Sequence, residues 1–94
     1  MLIIAHHDIS DPENFWAAAQ QVTKSLPANL KVLGVYPSMD GKTGTCLWDG
    51  DSAQSVQEFL DAGSAQYAKN TCYEVNVEKA MGLPALHLME ASLS

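Results

Sequence analysis

The run of apolar and polar positions along this chain predicts six elements. Leu2 to His7 is an unbroken, mostly apolar stretch ending on two histidines, and its length suits one strand. Its alternating faces, Leu2, Ile4, His6 and Ile3, Ala5, His7, are both largely apolar, which predicts a central strand covered on both sides. Ser10-Asp11-Pro12-Glu13 reads as a helix start, with Ser10 as cap, Pro12 in the first turn and Glu13 three residues beyond the cap. Phe15, Ala19, Val22 and Leu26 fall on one helical stripe, and Pro27 stops it. Trp16 sits beside that stripe, where packing of a flank residue on the sheet outweighs a ligand role.

Leu30 to Trp48 follows as two short strands on a turn. Pro37, Asp40 and Gly41 break the run, and Asp-Gly between β-rich segments is a hairpin signal. Val32, Gly34 and Tyr36 share one face of the first strand, opposite Leu33 and Val35; in the second, Cys46 and Trp48 oppose Thr45 and Leu47. Gly34 and Gly44 inside strands point to a bulge or a close backbone approach. Asp51-Ser52 caps a second helix carrying Val56, Phe59, Leu60 and Tyr67 on one face, with a kink or break expected at Gly63-Ser64. Cys72 to Lys79 alternates as a half-buried strand with Tyr73, Val75 and Val77 inward. Residues 84–94 form a C-terminal tail apolar enough to dock.

The order β-α-β-β-α-β is that of a ferredoxin-like α+β sandwich with a four-stranded antiparallel sheet in strand order 4-1-3-2. Two helices cover one face of such a sheet, so a homodimer pairing the other faces is expected. Ninety-four residues make a single domain, 1–94.

Charge narrows the partners. The net charge is −6, there is no arginine, and five scattered lysines make no patch. Nucleic acid, which needs a basic footprint, is excluded on that balance, and strongly anionic ligands lose the bidentate fork they favour. Cys46 and Cys72 match no metal-knuckle or CxxC spacing and read as a reduced pair. No stretch approaches the ~20 apolar residues of a membrane span, and no signal peptide is recognisable; a cytoplasmic protein is expected.

The element order, the "AHH" that ends the first strand, the run Tyr36-Pro37…Asp40-Gly41-Lys42…Cys46-Leu47-Trp48, and Tyr73-Glu74-Val75 resemble the dimeric α+β barrel superfamily. Within it they are similar to a group of small ferredoxin-like proteins that includes a nickel-binding member. The resemblance spans roughly residues 1–80. It implies a dimeric barrel and admits metal binding, cofactor-free monooxygenase or isomerase chemistry, or haem handling. The second helix and its flanks carry no histidine, which departs from the haem-handling pattern. No flavin or nucleotide signature is present.

Under strand order 4-1-3-2, His6 and His7 lie beside Thr43 to Thr45 and beside the start of the last strand, near Cys72 to Glu74. Tyr36 ends at the same sheet edge. The candidate pocket is therefore His6, Tyr36, Thr45, Cys46, Trp48 and Tyr73, with His7 as proton shuttle and Tyr36 as hydrogen-bond donor. Adjacent histidines on a strand point to opposite faces and do not chelate as a helical pair would. A nickel or zinc site would need His6 or His7 with Glu74, completed by Asp8 or by a dimer partner. A histidine hydrogen-bonded to Asp8 or to a backbone carbonyl is the plainer alternative. Trp48 is either core or the wall for a flat ligand. Asp49-Gly50-Asp51 lacks the later ligands of a calcium loop and reads as a turn and a cap.

Three functions follow in order. The first is binding of a small molecule or metal ion in a pocket between sheet and dimer partner. The second is a cofactor-free monooxygenase or isomerase acting on a small apolar ring compound. The third is a structural dimer without chemistry.

Overall fold

A computed structural model describes residues 1–82. The docking expected of the tail at 84–94 falls outside the described residues. The elements run β1 (Leu2–Ile9), α1 (Pro12–Val22), β2 (Lys31–Pro37), β3 (Thr43–Asp49), α2 (Ala53–Ser64) and β4 (Ala68–Glu74). The four strands form one antiparallel sheet in the order β2-β3-β1-β4, the ferredoxin-like arrangement. Among the described residues no helix is long and apolar enough to cross a membrane.

β1 is central because it pairs along its length with β3 on one side and β4 on the other. Its odd-numbered residues, Ile3, Ala5, His7 and Ile9, are buried on one face. They share that face with Cys46 and Trp48 of β3 and with Ala68, Asn70 and Cys72 of β4. Here Val56 and Leu60 of α2 and Phe15 of α1 complete the core, with Leu26 and Phe59 half-buried against it. At about 25 cal/mol per Å², each fully buried large side chain contributes roughly 1.5–3 kcal/mol, so Ile3, Trp48 and Val56 anchor the sandwich. The even-numbered face stays open. Leu2 is buried and Ile4 half-buried on it, while His6 and Asp8 are exposed.

Four local expectations are corrected. Asp11, not Ser10, caps α1: its carboxylate accepts from the Asn14 amide at 3.3 Å, while the Ser10 hydroxyl donates to the Tyr67 carbonyl. The helix closes at Val22, four residues before Leu26, where the Thr23 hydroxyl donates to the Ala19 carbonyl. A register shift between Val32 and Gly34 moves Val32 to the face of Val35, leaving Gly34 and Tyr36 on the other. β4 spans Ala68–Glu74 rather than Cys72–Lys79. The cause is the eight-residue partner: antiparallel pairing with all of β1 requires a strand starting opposite Ile9, at Ala68. Its inward residues are small or polar, so the visible alternation Tyr73, Val75, Val77 marked a segment whose Tyr73 and Val77 are in fact exposed. As expected, Ser52 caps α2, accepting from the Ser55 amide at 2.9 Å. Of the kink or break expected at Gly63-Ser64 it is the break that occurs, since the helix ends there and Tyr67 lies in the following turn.

Candidate functional site

His7 is placed by the sheet. It faces Gly44 of β3 on one side and Asn70 of β4 on the other, under Phe15 of α1 at a ring separation of 5.0 Å. Its side chain is 1% exposed, and both ring nitrogens are engaged: Nδ1 with Asn70 Oδ1 at 2.7 Å and Nε2 with Cys46 Sγ at 3.2 Å.

The surrounding donors and acceptors fix the tautomer. The Asn70 amide nitrogen donates to Asp61 Oδ1 and to Ser64 Oγ, both at 3.0 Å. Ser64 spends its own proton on the Leu60 carbonyl, so its oxygen can only accept from Asn70. The Asn70 oxygen must therefore accept from His7, and Nδ1 carries the proton. Nε2 is left as a lone pair. Burial pulls the His7 pKa below its ordinary value of 6.5, outweighing the upward pull of Asn70, with exposed His6 pushing it down further. The ring is neutral near pH 7. Burial also pushes the Cys46 thiol up to about 11, so Cys46 keeps its proton and donates it to Nε2.

This network borders a cavity of about 40 Å³ between α1, the end of α2 and the sheet. His7, Phe15, Trp16, Val35, Cys46 and Trp48 are among its walls, which are otherwise almost wholly apolar. Trp48 is 2% exposed and its indole N–H has no hydrogen-bond partner among the described residues. Leaving such a donor unpaired costs about 1–3 kcal/mol.

The sequence-derived pocket splits across the sheet. Cys46, Trp48 and His7 meet on the helix side. His6, Thr45 and Tyr36 lie in register on the open side, one step from Tyr73, so Tyr36 cannot act with His7 on one substrate. Glu74 faces Ile3, four residues along β1 from His7 and roughly 13 Å away at ~3.3 Å per residue. His6 points the other way. The metal set His6, His7 and Glu74 therefore does not assemble, and no three His, Cys, Asp or Glu side chains converge among the described residues. Asp8 is exposed on the open face with His6 and gives His7 nothing. Cys46 and Cys72 are free thiols flanking Ala5 from opposite sides, two strand spacings apart, roughly 10 Å and too far for a disulfide.

The roles of Asn70, Phe15, Ser64 and Trp16 around His7 were not read from the sequence. Asn70 stood outside the expected last strand, and its partnership with His7 emerges only when β4 starts at Ala68. Comparison with protein-family models, with curated proteins and with solved structures finds no match to this chain.

Proposed function

We propose that this protein binds a small, uncharged, flat molecule in the helix-side cavity, and does so as a homodimer that pairs the open faces of its sheets. The observation that supports binding is the buried, neutral His7, its tautomer locked by Asn70 and its lone pair turned toward Cys46 beside an apolar cavity. A ligand hydroxyl would displace the weak Cys46 S–H donor and bond to Nε2 as the stronger one. The ferredoxin-like strand order and the open sheet face support the pairing that the resemblance to dimeric α+β barrels implies.

Catalysis is the second reading, favoured by the same lone pair as a general base in cofactor-free oxygenation or isomerisation. Magnitude ranks it below binding. A phenol with pKa about 10 would give its proton to an imidazole below 6.5, a transfer uphill by at least about 5 kcal/mol. The resting complex is then a neutral hydrogen bond.

The test is a titration with 1-naphthol followed by NMR. Saturable shifts are expected at Val35, Val22 and the Trp48 indole N–H, and they weaken at least tenfold in affinity in His7→Gln. Absence of saturable shifts with naphthol and a panel of simple phenols would remove the binding reading. Oxygen uptake or an isomerised product, lost in His7→Gln, would raise the enzyme to first place.

A further inference from the structure

The cavity beside His7 is too small for the ligand class it suits. About 40 Å³ holds a water molecule or a few, whereas a ring compound needs several times that. One wall, however, is also the wall of something larger. An open groove of about 770 Å³ runs along the outer side of α1 and the β2–β3 hairpin, past Pro12, Pro37 and Met39. Cavity and groove share Trp16, Ala19, Thr23 and Val35. The indole of Trp16 is the largest of the four by far.

The hairpin is built to receive that indole. Trp16 Nε1 donates to the Gly41 carbonyl at 2.9 Å. Gly41 has φ +73°, a left-handed conformation open to glycine and costly for other residues. A Cβ on Gly44 would stand 2.8 Å from Cη2 of the indole and 3.8 Å from Cδ2 of His7, so the bare Gly44 backbone is the floor on which the ring rests beside His7. Phe15 meets the same ring edge-on at 4.9 Å. The indole thus fills a slot with a flat floor, an aromatic wall and one carbonyl acceptor.

Its hold is modest. Trp16 is only half-buried, and one partly buried hydrogen bond contributes about 0.5–1.5 kcal/mol net. Phe15 and Trp48, by contrast, are 3% and 2% exposed and border the small cavity but not the groove, so neither has comparable space beside it. The groove beside Pro12, Pro37 and Met39 gives Trp16 that space.

We propose that the Trp16 indole is a displaceable occupant of a ring subsite over Gly44, at the mouth of the His7 cavity. The ligand taking its place is a flat, uncharged aromatic whose ring lies over Gly44 in place of the indole and whose hydroxyl is the donor to His7 Nε2. This inference rests on the cavity being a ligand site, and access can be measured without any ligand.

The probe of access is the Cys46 thiol, alkylated by neutral N-ethylmaleimide in a Cys72→Ser background and read by mass spectrometry. Trp16→Ala, which removes the plug, is expected to speed alkylation at least tenfold after correction for global unfolding from urea curves. Gly44→Ala, whose new methyl pushes the indole off its floor, is expected to do the same with the tryptophan retained. Gly44→Ala also keeps the test valid should Trp16→Ala fail to fold. Rates within twofold of the parent in the folded variants would overturn the displaceable plug. In the parent background, 1-naphthol is expected to shift the Trp16 indole N–H resonance away from its hydrogen-bonded position and to slow Cys46 alkylation. Faster alkylation in the variants with no naphthol effect would overturn the ring ligand while leaving the mouth where it is placed.

Discussion

His7 is the centre of the buried polar network, and its neutrality is a statement about stability. In the folded chain burial holds the His7 pKa below 6.5, whereas in the unfolded chain the ring titrates near that value. Between those two pKa values the unfolded state binds more protons than the folded one, so unfolding becomes easier as the pH falls. Stability is therefore expected to be full above about pH 7 and to decline as the pH passes through 6.5 toward the lowered folded value. Urea midpoints from pH 7.5 to 5 check this, and the share of the slope due to His7 should vanish in His7→Gln; an unchanged slope in that variant would assign it to other groups. Asn70→Leu should cost about 2–3 kcal/mol, because it strands the buried His7 Nδ1–H and removes the bridge to Ser64 and Asp61. A loss below about 0.5 kcal/mol would mean that the histidine finds another partner at once. Cys46→Ser separates the thiol's two roles: a hydroxyl keeps the hydrogen bond to Nε2 and abolishes alkylation.

At the scale of elements, the caps and the last strand show how local signals compete with tertiary pairing. Asp11→Ala should destabilise by about 1 kcal/mol in urea unfolding, because Asp11 supplies the capping acceptor for Asn14. Ser10→Ala, by comparison, should cost only a few tenths, since its hydroxyl donates to the Tyr67 carbonyl at the exposed surface. Equal losses would restore Ser10 as the cap that the spacing to Glu13 suggests. Both residues lie in a stretch that announces a helix, so the element was legible and its first residue was not. Strand order, the hairpin at Asp40-Gly41 and the opposite facing of His6 and His7 were legible too, since each rests on a period or a turn. β4 was not. A strand paired with a long central neighbour can hide a polar inward residue such as Asn70 when a buried partner satisfies it, and alternation of apolar types then marks the wrong stretch. The candidate site suffered directly: displacing β4 by four residues put Glu74 where Asn70 stands and suggested a metal ligand in place of the group that orients His7. The bulge after Val32 had the milder effect of leaving Tyr36 on the open face while Val35 joined the cavity wall.

The whole molecule leaves one face of its sheet to account for. Ile4 and Leu47 are half-buried there, and Tyr36 and Tyr73 are 61% and 56% exposed around His6, Thr45 and Thr71. Four strands about 4.8 Å apart and some seven residues long present a plan of roughly 20 × 23 Å, or ~450 Å² before side-chain relief. A standard interface takes about 800 Å² from each partner, so a dimer on this face alone is at the modest end and should dissociate measurably. Charge opposes it further, because pairing brings together two chains of −6 each. The Debye length shrinks from about 30 Å at 0.01 M salt to about 10 Å at 0.1 M, and repulsion over the width of the sheet is screened in step. Sedimentation equilibrium at micromolar concentration should therefore give a mass approaching twice 10.1 kDa at moderate salt, with dissociation favoured as the salt is lowered. Leu47→Lys puts two buried positive charges on the pairing surface and should yield a monomer at every salt concentration, with its far-UV spectrum unchanged. His7 and its cavity lie on the opposite side of the same sheet, so that monomer should still bind 1-naphthol. A Leu47→Lys monomer that folds but has lost the ligand would show that the second copy shapes the cavity through the sheet, whereas a parent chain that stays monomeric at all salts would remove the dimer and leave the His7 site to stand by itself.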